Sequence, residues 1–249
     1  RSASAEAANL WRSAWLTAPR GRLTLAAAIR STRPGDRVRI APGVHSTPLD
    51  IPHALEMVGE DGAVLTGHLT LTSGGGGNHR GVVRNLRMEH FYETAVTILG
   101  GRWALEGCEV ASSRAPARAC VGVVLRNVSS VEIDECAISG CSAAVLLSST
   151  NAKLIARRTT FANARSCIEA IRGGHLDVQD CSFNIGQNDV GMRLPFDTAG
   201  AVRGNAVVGG GSLWGRLAPP TSVSYSEEME ASAPGAEEEG EADAQEEAH

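Results

Sequence analysis

The side chains best suited to chemistry in this 249-residue chain are six cysteines, seven histidines and a set of carboxylates placed among arginines. The cysteines show no C-x-x-C pair and no His/Cys spacing of the kind that holds a metal. Histidines 45, 53, 68, 79, 90, 175 and 249 form no i, i+4 pair, and no G-x-S-x-G turn offers a serine nucleophile. Cleaving a glycosidic bond needs two carboxylates flanking it, and holding calcium needs several converging on one point. The carboxylates here fall in columns instead. One residue before a recurring Cys/Thr position stand Gly107, Glu135, Arg158 and Asp180, and two before it Glu106, Asp134, Arg157 and Gln179. Stacked at strand spacing, these columns make charge-compensated surface ladders, each exposed pair contributing about 0–1 kcal/mol. Asp189 and Asp197, in the segment from Gln187 to Gly200, suit loop solvation and turn formation. The glycine run Ser73–Asn78 lacks the Lys-Ser/Thr and helix start of a phosphate cradle. The spacing therefore names no catalytic residue, no metal ligand and no cofactor.

What positions these columns is a repeated phrase. It reads Trp103-x-Leu105-x-x-Cys108-x-Val110, Val131-x-Ile133-x-x-Cys136-x-Ile138, Leu154-x-Ala156-x-x-Thr159-x-Phe161 and Leu176-x-Val178-x-x-Cys181-x-Phe183. Fainter copies flank it, Val83-x-x-Leu86-x-Met88 before and Val202-x-x-Asn205-x-Val207 after. Along the column Leu86, Cys108, Cys136, Thr159, Cys181, Asn205 the steps are 22, 28, 23, 22 and 24 residues. Period-2 alternation inside a period of this size predicts a solenoid with one coil per repeat. Cys108, Cys136 and Cys181 become interior rungs, where cysteine acts as a small hydrophobe. Cys120, Cys141 and Cys167 fall in the following turn or second strand, and a reducing compartment suits all six. Each coil carries a second apolar run, among them Val123-Val124-Leu125, Ala144-Val145-Leu146-Leu147 and Val190-Gly191-Met192. Ser112–Ala119 is an expanded turn that accounts for the 28-residue step.

Composition bounds the rest. The chain is 43% hydrophobic but only 4% aromatic, as narrow coils filled by small side chains require. No run of 18 apolar residues predicts a membrane span. The net charge of −5 divides unevenly: residues 226–249 hold ten acidic and no basic side chains, leaving residues 1–225 at +5. That excess forms no basic cluster interleaved with aromatics, so no nucleic-acid partner is expected. Lys153 is the only lysine beside 22 arginines; a GC-rich genome and lysine avoidance beside a ubiquitin-transferring enzyme both give this pattern. From residue 218 onward the chain is rich in Pro, Ser, Ala and Glu and is expected to be disordered. Leu213, Trp214 and Leu217 are expected to plug the open end of the solenoid.

At the other end, Leu10, Trp11, Ala14 and Trp15 share one face of a predicted helix within residues 1–20. Thr24 caps a second helix with Leu25, Ala28 and Ile29 on one side. The stretch TLAAAIRSTRPGDRVRIAPGVH and the later LEMVGEDGAVLTG resemble the opening of right-handed parallel β-helix domains of the pectin-lyase-like class. Asn9–Leu16, NLWRSAWL, resembles the final helix of an F-box, and a β-helix behind an F-box is similar to the substrate-recognition subunits of cullin-RING ubiquitin ligases. Relatives of the Shc-SH2-binding protein also carry a similar β-helix. The resemblance implies an all-β fold: a right-handed parallel β-helix over residues 21–217, a short N-terminal helical cap with a possible F-box end over 1–20, and a disordered acidic tail over 218–249. It implies a non-enzymatic recognition scaffold, in the cytoplasm or nucleus. In it Leu10, Trp11 and Trp15 contact a Skp1-type adaptor or the cap, and the coils present a surface to a ubiquitination substrate or a glycan. The alternative on the same fold is a polysaccharide lyase or glycoside hydrolase.

Overall fold

The computed structural model describes residues 15–17, 24–73, 79–90, 93–112, 120–187, 189–214 and 222–225. Its strands build three parallel sheets that wrap one core. Sheet A takes the first strand of every coil: Arg37–Ile40, Glu56–Gly59, Arg80–Arg84, Gly101–Glu106, Ser129–Asp134, Lys153–Arg157, Gly174–Gln179 and Thr198–Arg203. Sheet B takes the second, from Gly43–His45 in coil 1 to Ala206–Val208 in coil 8. Sheet C takes the third, from Leu49–Ile51 to Val190–Arg193. Seven coils are complete, and the eighth is closed on sheet C by a bridge between Val190 and Ser212. The result is a parallel β-helix, with the right-handed sense that parallel crossovers adopt.

The pairing register reproduces the repeat. Trp103, Val131, Leu154 and Leu176 are successive partners, as are Leu105, Ile133, Ala156 and Val178. All sixteen residues of the four clear copies are buried. Phe161 and Phe183 stack at 5.2 Å between ring centroids. Trp103 is admitted only because its partner in the preceding coil is Gly81, where a Cβ would lie 2.2 Å from the indole.

The column that sets the period is a corner, not a strand. From coil 3 to coil 8, sheets A and B are joined by two residues: Asn85-Leu86, Gly107-Cys108, Glu135-Cys136, Arg158-Thr159, Asp180-Cys181 and Gly204-Asn205. The first of each pair has positive φ, between 44° and 61°. Asn, Gly and Asp tolerate that left-handed region; for Glu135 and Arg158 it is strained. The second of each pair turns inward and serves its neighbours. Cys108 N–H donates to Cys136 Sγ at 3.3 Å, Cys136 N–H to Thr159 Oγ1 at 3.4 Å, and Cys181 N–H to Asn205 Oδ1 at 2.8 Å. Asn205 also donates to Val178 O at 3.1 Å. These side chains satisfy backbone groups that the corner takes out of the sheet ladder. All six cysteines are buried free thiols. Burial pushes the Cys167 thiol up to about 12 and the Cys181 thiol up to about 11. Cys136 is raised further, first by its hydrogen bond with Cys108 and then by burial.

At the ends the structure corrects two expectations. Trp15, placed above on a helical face, lies in the strand Trp15–Thr17, which pairs with Arg37–Arg39 and covers that edge of sheet A. Leu10 and Trp11 lie outside the described residues. The segment from 218, expected to lack structure, contains the strand Val223–Tyr225, which pairs with Gly200–Val202 and buries Val223. Sheet A thus runs past both of the limits predicted at 21 and 217, because an unpaired strand edge gains from any extended segment that can reach it. The helix Leu25–Arg30 forms as expected, with Thr24 Oγ1 accepting from Ala27 N. Leu213 is buried, Trp214 packs on the core, and Leu217 lies outside the described residues, as do the tail 226–249 and the loops 74–78 and 113–119. Among the described residues no helix is long and apolar enough to cross a membrane.

Candidate functional site

The outer face of sheet A pairs much of its own charge. Arg37 and Arg84 meet Glu56, Arg84 and Arg80 meet Glu106, and Arg80 reaches past coil 4 to Glu132 at 2.6 Å. Ala104, the residue between, is covered completely. Arg158 holds both Asp134 and Glu135, and Arg203 faces Asp177. The columns read from the sequence keep their register, but of their pairs only Arg158–Glu135 forms as read; Glu106 pairs instead with Arg80 and Arg84, and Arg157 with Glu132. Asp189 and Asp197 do not meet: the first precedes the sheet C strand Val190–Arg193 and the second follows it, at opposite borders of the sheet.

Sheet C is different. Its outward column runs Asp50, Thr70, Thr97, Val124, Leu146, Glu169, Arg193, polar at both ends and apolar in coils 4 and 5. Over that apolar centre lies a groove of about 660 Å³ with Val121, Val124 and Leu146 on its floor and Ile171 at its border toward sheet A. Glu93 and Thr94 line the border toward sheet B, and Arg126, Asn127, Ser148, Ser149, Thr150 and Arg172 the border toward sheet A. The volume lies within the range of small-molecule and peptide sites.

The border toward sheet A is rigid. Arg126 N–H donates to Ile98 O and Ile171 N–H to Leu147 O, both at 2.9 Å. Asn127, at φ 54°, donates its side-chain amide to Leu99 O, and Ser148 gives both its N–H and its hydroxyl to Leu125 O. These bonds continue the sheet's rungs into the corner, so side chains there keep coil spacing, about 4.8 Å per coil. Along this rim Val128 is 71% exposed, Ile171 57% and Phe196 90%, three of the five large apolar side chains left in solvent among the described residues. Arg126, Arg172 and Arg193 stand between them, exposed and with no ion pair among the described residues. Singly exposed apolar residues need no explanation; here they alternate with cationic groups along one edge.

Among the described residues the groove gathers few ionisable side chains. Glu93 is the one carboxylate among its lining residues, so it has no second acid to flank a glycosidic bond. Among the described residues no three His, Cys, Asp or Glu side chains gather as a metal site. His45, His53 and His68 are each engaged in a local hydrogen bond, to Ala41 O, Thr32 Oγ1 and Thr94 O. Sequence reasoning missed the groove because it read Val123-Val124-Leu125 and Ala144-Val145-Leu146-Leu147 only as second apolar runs, without assigning their residues to a face. The signal was the break in alternation, which leaves Val124 and Leu146 apolar on the outward side.

Compared with protein-family models, curated proteins and solved structures, the chain matches none. What the fold and groove define is a parallel β-solenoid of about seven turns with one amphipathic, cation-rimmed face. The likeness to pectin-lyase-like and F-box proteins rests on the residues quoted for it.

Proposed function

We propose that this protein is a non-enzymatic recognition scaffold that binds an extended, acidic protein segment along the sheet C groove. The observation that carries the reading is the rim itself: Arg126, Arg172 and Arg193, without an ion pair among the described residues, interleaved with exposed Val128, Ile171 and Phe196 beside an apolar floor. Arg126 and Arg172 are two coils apart, about 10 Å at strand spacing. A peptide in the polyproline II form advances about 9 Å per three-residue turn and keeps i and i+3 on one face, so a ligand lying along the axis pairs both arginines with acids at i and i+3. The apolar positions favour a protein ligand over a polyanionic glycan. Fluorescence anisotropy with labelled peptides carrying Glu at i and i+3 between Leu and Phe tests this. Arg126→Glu with Arg172→Glu weakens binding at least tenfold, and salt weakens it in the parent. Binding untouched by the double variant refutes the site. Turnover of pectic or related glycans, with or without calcium, refutes the non-enzymatic reading.

The narrower form of the proposal makes the scaffold the substrate-binding part of an F-box-type ubiquitin-ligase adaptor. It is supported by Asn9–Leu16 alone. With Trp15 and Leu16 committed to a strand, the adaptor contact falls to Leu10 and Trp11. Pull-down of a chain extended upstream of Arg1 with a Skp1-type adaptor tests it, and retention of full binding by Leu10→Ala/Trp11→Ala refutes that assignment.

A further inference from the structure

Two thiols of the interior corner column are set as a pair. Cys108 and Cys136 hold the same position in coils 4 and 5, and Ala137 N–H donates to Cys108 O at 2.9 Å. The two corners are thus stacked one strand spacing apart, about 4.8 Å. That lies inside the window of about 4.4–6.8 Å between Cα atoms that a disulfide needs. The Cys136 sulfur turns back under coil 4, where it accepts Cys108 N–H and donates to Leu105 O, both at 3.3 Å. Cys108 donates to Val83 O at 3.4 Å, so a turn about its χ1 exchanges that carbonyl for the Cys136 sulfur. Leu86 and Thr159 bound the pair along the column, so each thiol has only the other beside it there. The pair is also asymmetric. A hydrogen bond with Cys136 holds the Cys108 thiol below its ordinary value against the opposing effect of burial, while the same bond and burial push Cys136 up. Cys108 is therefore the member that ionises first. The other thiol contact between these coils lacks this bias, since burial and then Cys120 push Cys141 up.

We infer that Cys108 and Cys136 form a peroxide-oxidisable dithiol whose disulfide staples coil 4 to coil 5 from the inside. The Cys108 thiolate attacks hydrogen peroxide; the O–O bond breaks, leaving a sulfenic acid on Cys108 and releasing hydroxide. Cys136 gives its proton to that hydroxide and attacks the Cys108 sulfur. The S–O bond breaks, and the departing hydroxide takes up the proton that Cys108 had shed. Two thiols and one peroxide thus give one disulfide and two waters. At 2% and 4% exposure the pair admits only a small oxidant. The bond closes the 28-residue step between the two cysteines, which contains the groove-floor residues Val121 and Val124. The inference does not depend on what the groove binds.

The test treats the reduced chain with hydrogen peroxide, then denatures, alkylates and maps it without reduction. The expected result is Cys108 joined to Cys136 within one molecule, with Cys167 and Cys181 alkylated. The urea midpoint of the oxidised chain rises by about 1 M, and dithiothreitol returns it to the starting value. In Cys136→Ser the hydroxyl still accepts Cys108 N–H and donates to Leu105 O, so the fold is kept, as circular dichroism verifies. There Cys108 stops at the sulfenic acid, which dimedone traps on unfolding. Six alkylated cysteines in the peroxide-treated parent overturn the inference. So does a bond found only between Cys120 and Cys141 or only between molecules, and so does a Cys108–Cys136 bond that leaves the midpoint unmoved. The mapping of the parent decides the matter even if the serine variant does not fold.

Discussion

Replacing Asn205 by Ala tests whether the interior corner column is what holds successive coils in register. The Asn205 amide accepts from Cys181 N–H at 2.8 Å and donates to Val178 O at 3.1 Å, in a site that is 3% exposed. Alanine leaves both backbone groups buried and unpaired. At about 1–3 kcal/mol for each such group, the loss is about 2–6 kcal/mol, a large fraction of the stability of an ordinary domain. Thr159→Val is the matched comparison. Its hydroxyl receives Cys136 N–H at a long 3.4 Å and donates to Arg157 O at 2.8 Å, so about 1 kcal/mol is expected. Urea unfolding followed by circular dichroism reads the difference as a shift in midpoint at constant slope. Because solenoid stability is summed between neighbours, hydrogen exchange in Asn205→Ala accelerates first in residues 174–208 and later in 37–71. A loss below about 1 kcal/mol, or a larger loss in Thr159→Val, refutes the idea that the amide supports the corner.

Other outcomes follow from the same geometry. Gly81→Ala drives a methyl group into the Trp103 ring and costs about 1–3 kcal/mol; adding Trp103→Leu recovers most of it, and a purely additive double variant contradicts the packing argument. Glu135→Asn relieves a left-handed residue at φ 52° while losing one exposed ion pair with Arg158. With about 1–2 kcal/mol of strain against 0–1 kcal/mol for the pair, urea unfolding shows a net gain of about 1 kcal/mol. The raised thiols make stability fall in alkali: below pH about 9 Cys167 and Cys181 are protonated in both states, so their contribution is intact. Between about 9 and their folded values of about 11 to 12 only the unfolded chain ionises, and stability drops by up to about 1.4 kcal/mol per pH unit per thiol. Thermal unfolding from pH 8 to 11 measures this, while a chromogenic disulfide at pH 8 reacts with the thiols only on unfolding.

The coil architecture was legible because it is written in hydrophobic side chains. The phrase ending at Val110, Ile138, Phe161 and Phe183 recurs in register, and every one of its apolar positions is buried. The register of the charge columns was legible for a similar reason, since Glu106, Asp134 and Arg157 occupy one position in successive coils, but their partners were not, because long arginine side chains reach diagonally to neighbouring columns. The left-handed corner was not, because Asn85 and Asp180 announce it while Glu135 and Arg158 hide it. The two terminal strands escaped notice because Trp15–Thr17 and Val223–Tyr225 are short, and edge pairing rather than their own composition makes them extended. The groove was visible only as an outward Val124 and Leu146, which look like core until the strand is placed on a face. Its rim could not be read at all: Val128, Ile171 and Phe196 come from corners of three coils, and only the winding aligns them.

The two-residue corner between sheets A and B has a consequence for how this molecule can change. From coil 3 to coil 8 that corner never varies in length, whereas the connections on either side of sheet C range from two to eight residues. Length variation is thus channelled to the two margins of a single face. One edge of the solenoid acts as a fixed ruler, and the opposite face is a page whose borders can be widened, narrowed or rewritten coil by coil. New binding specificities can be grafted there without disturbing the register that keeps the chain wound.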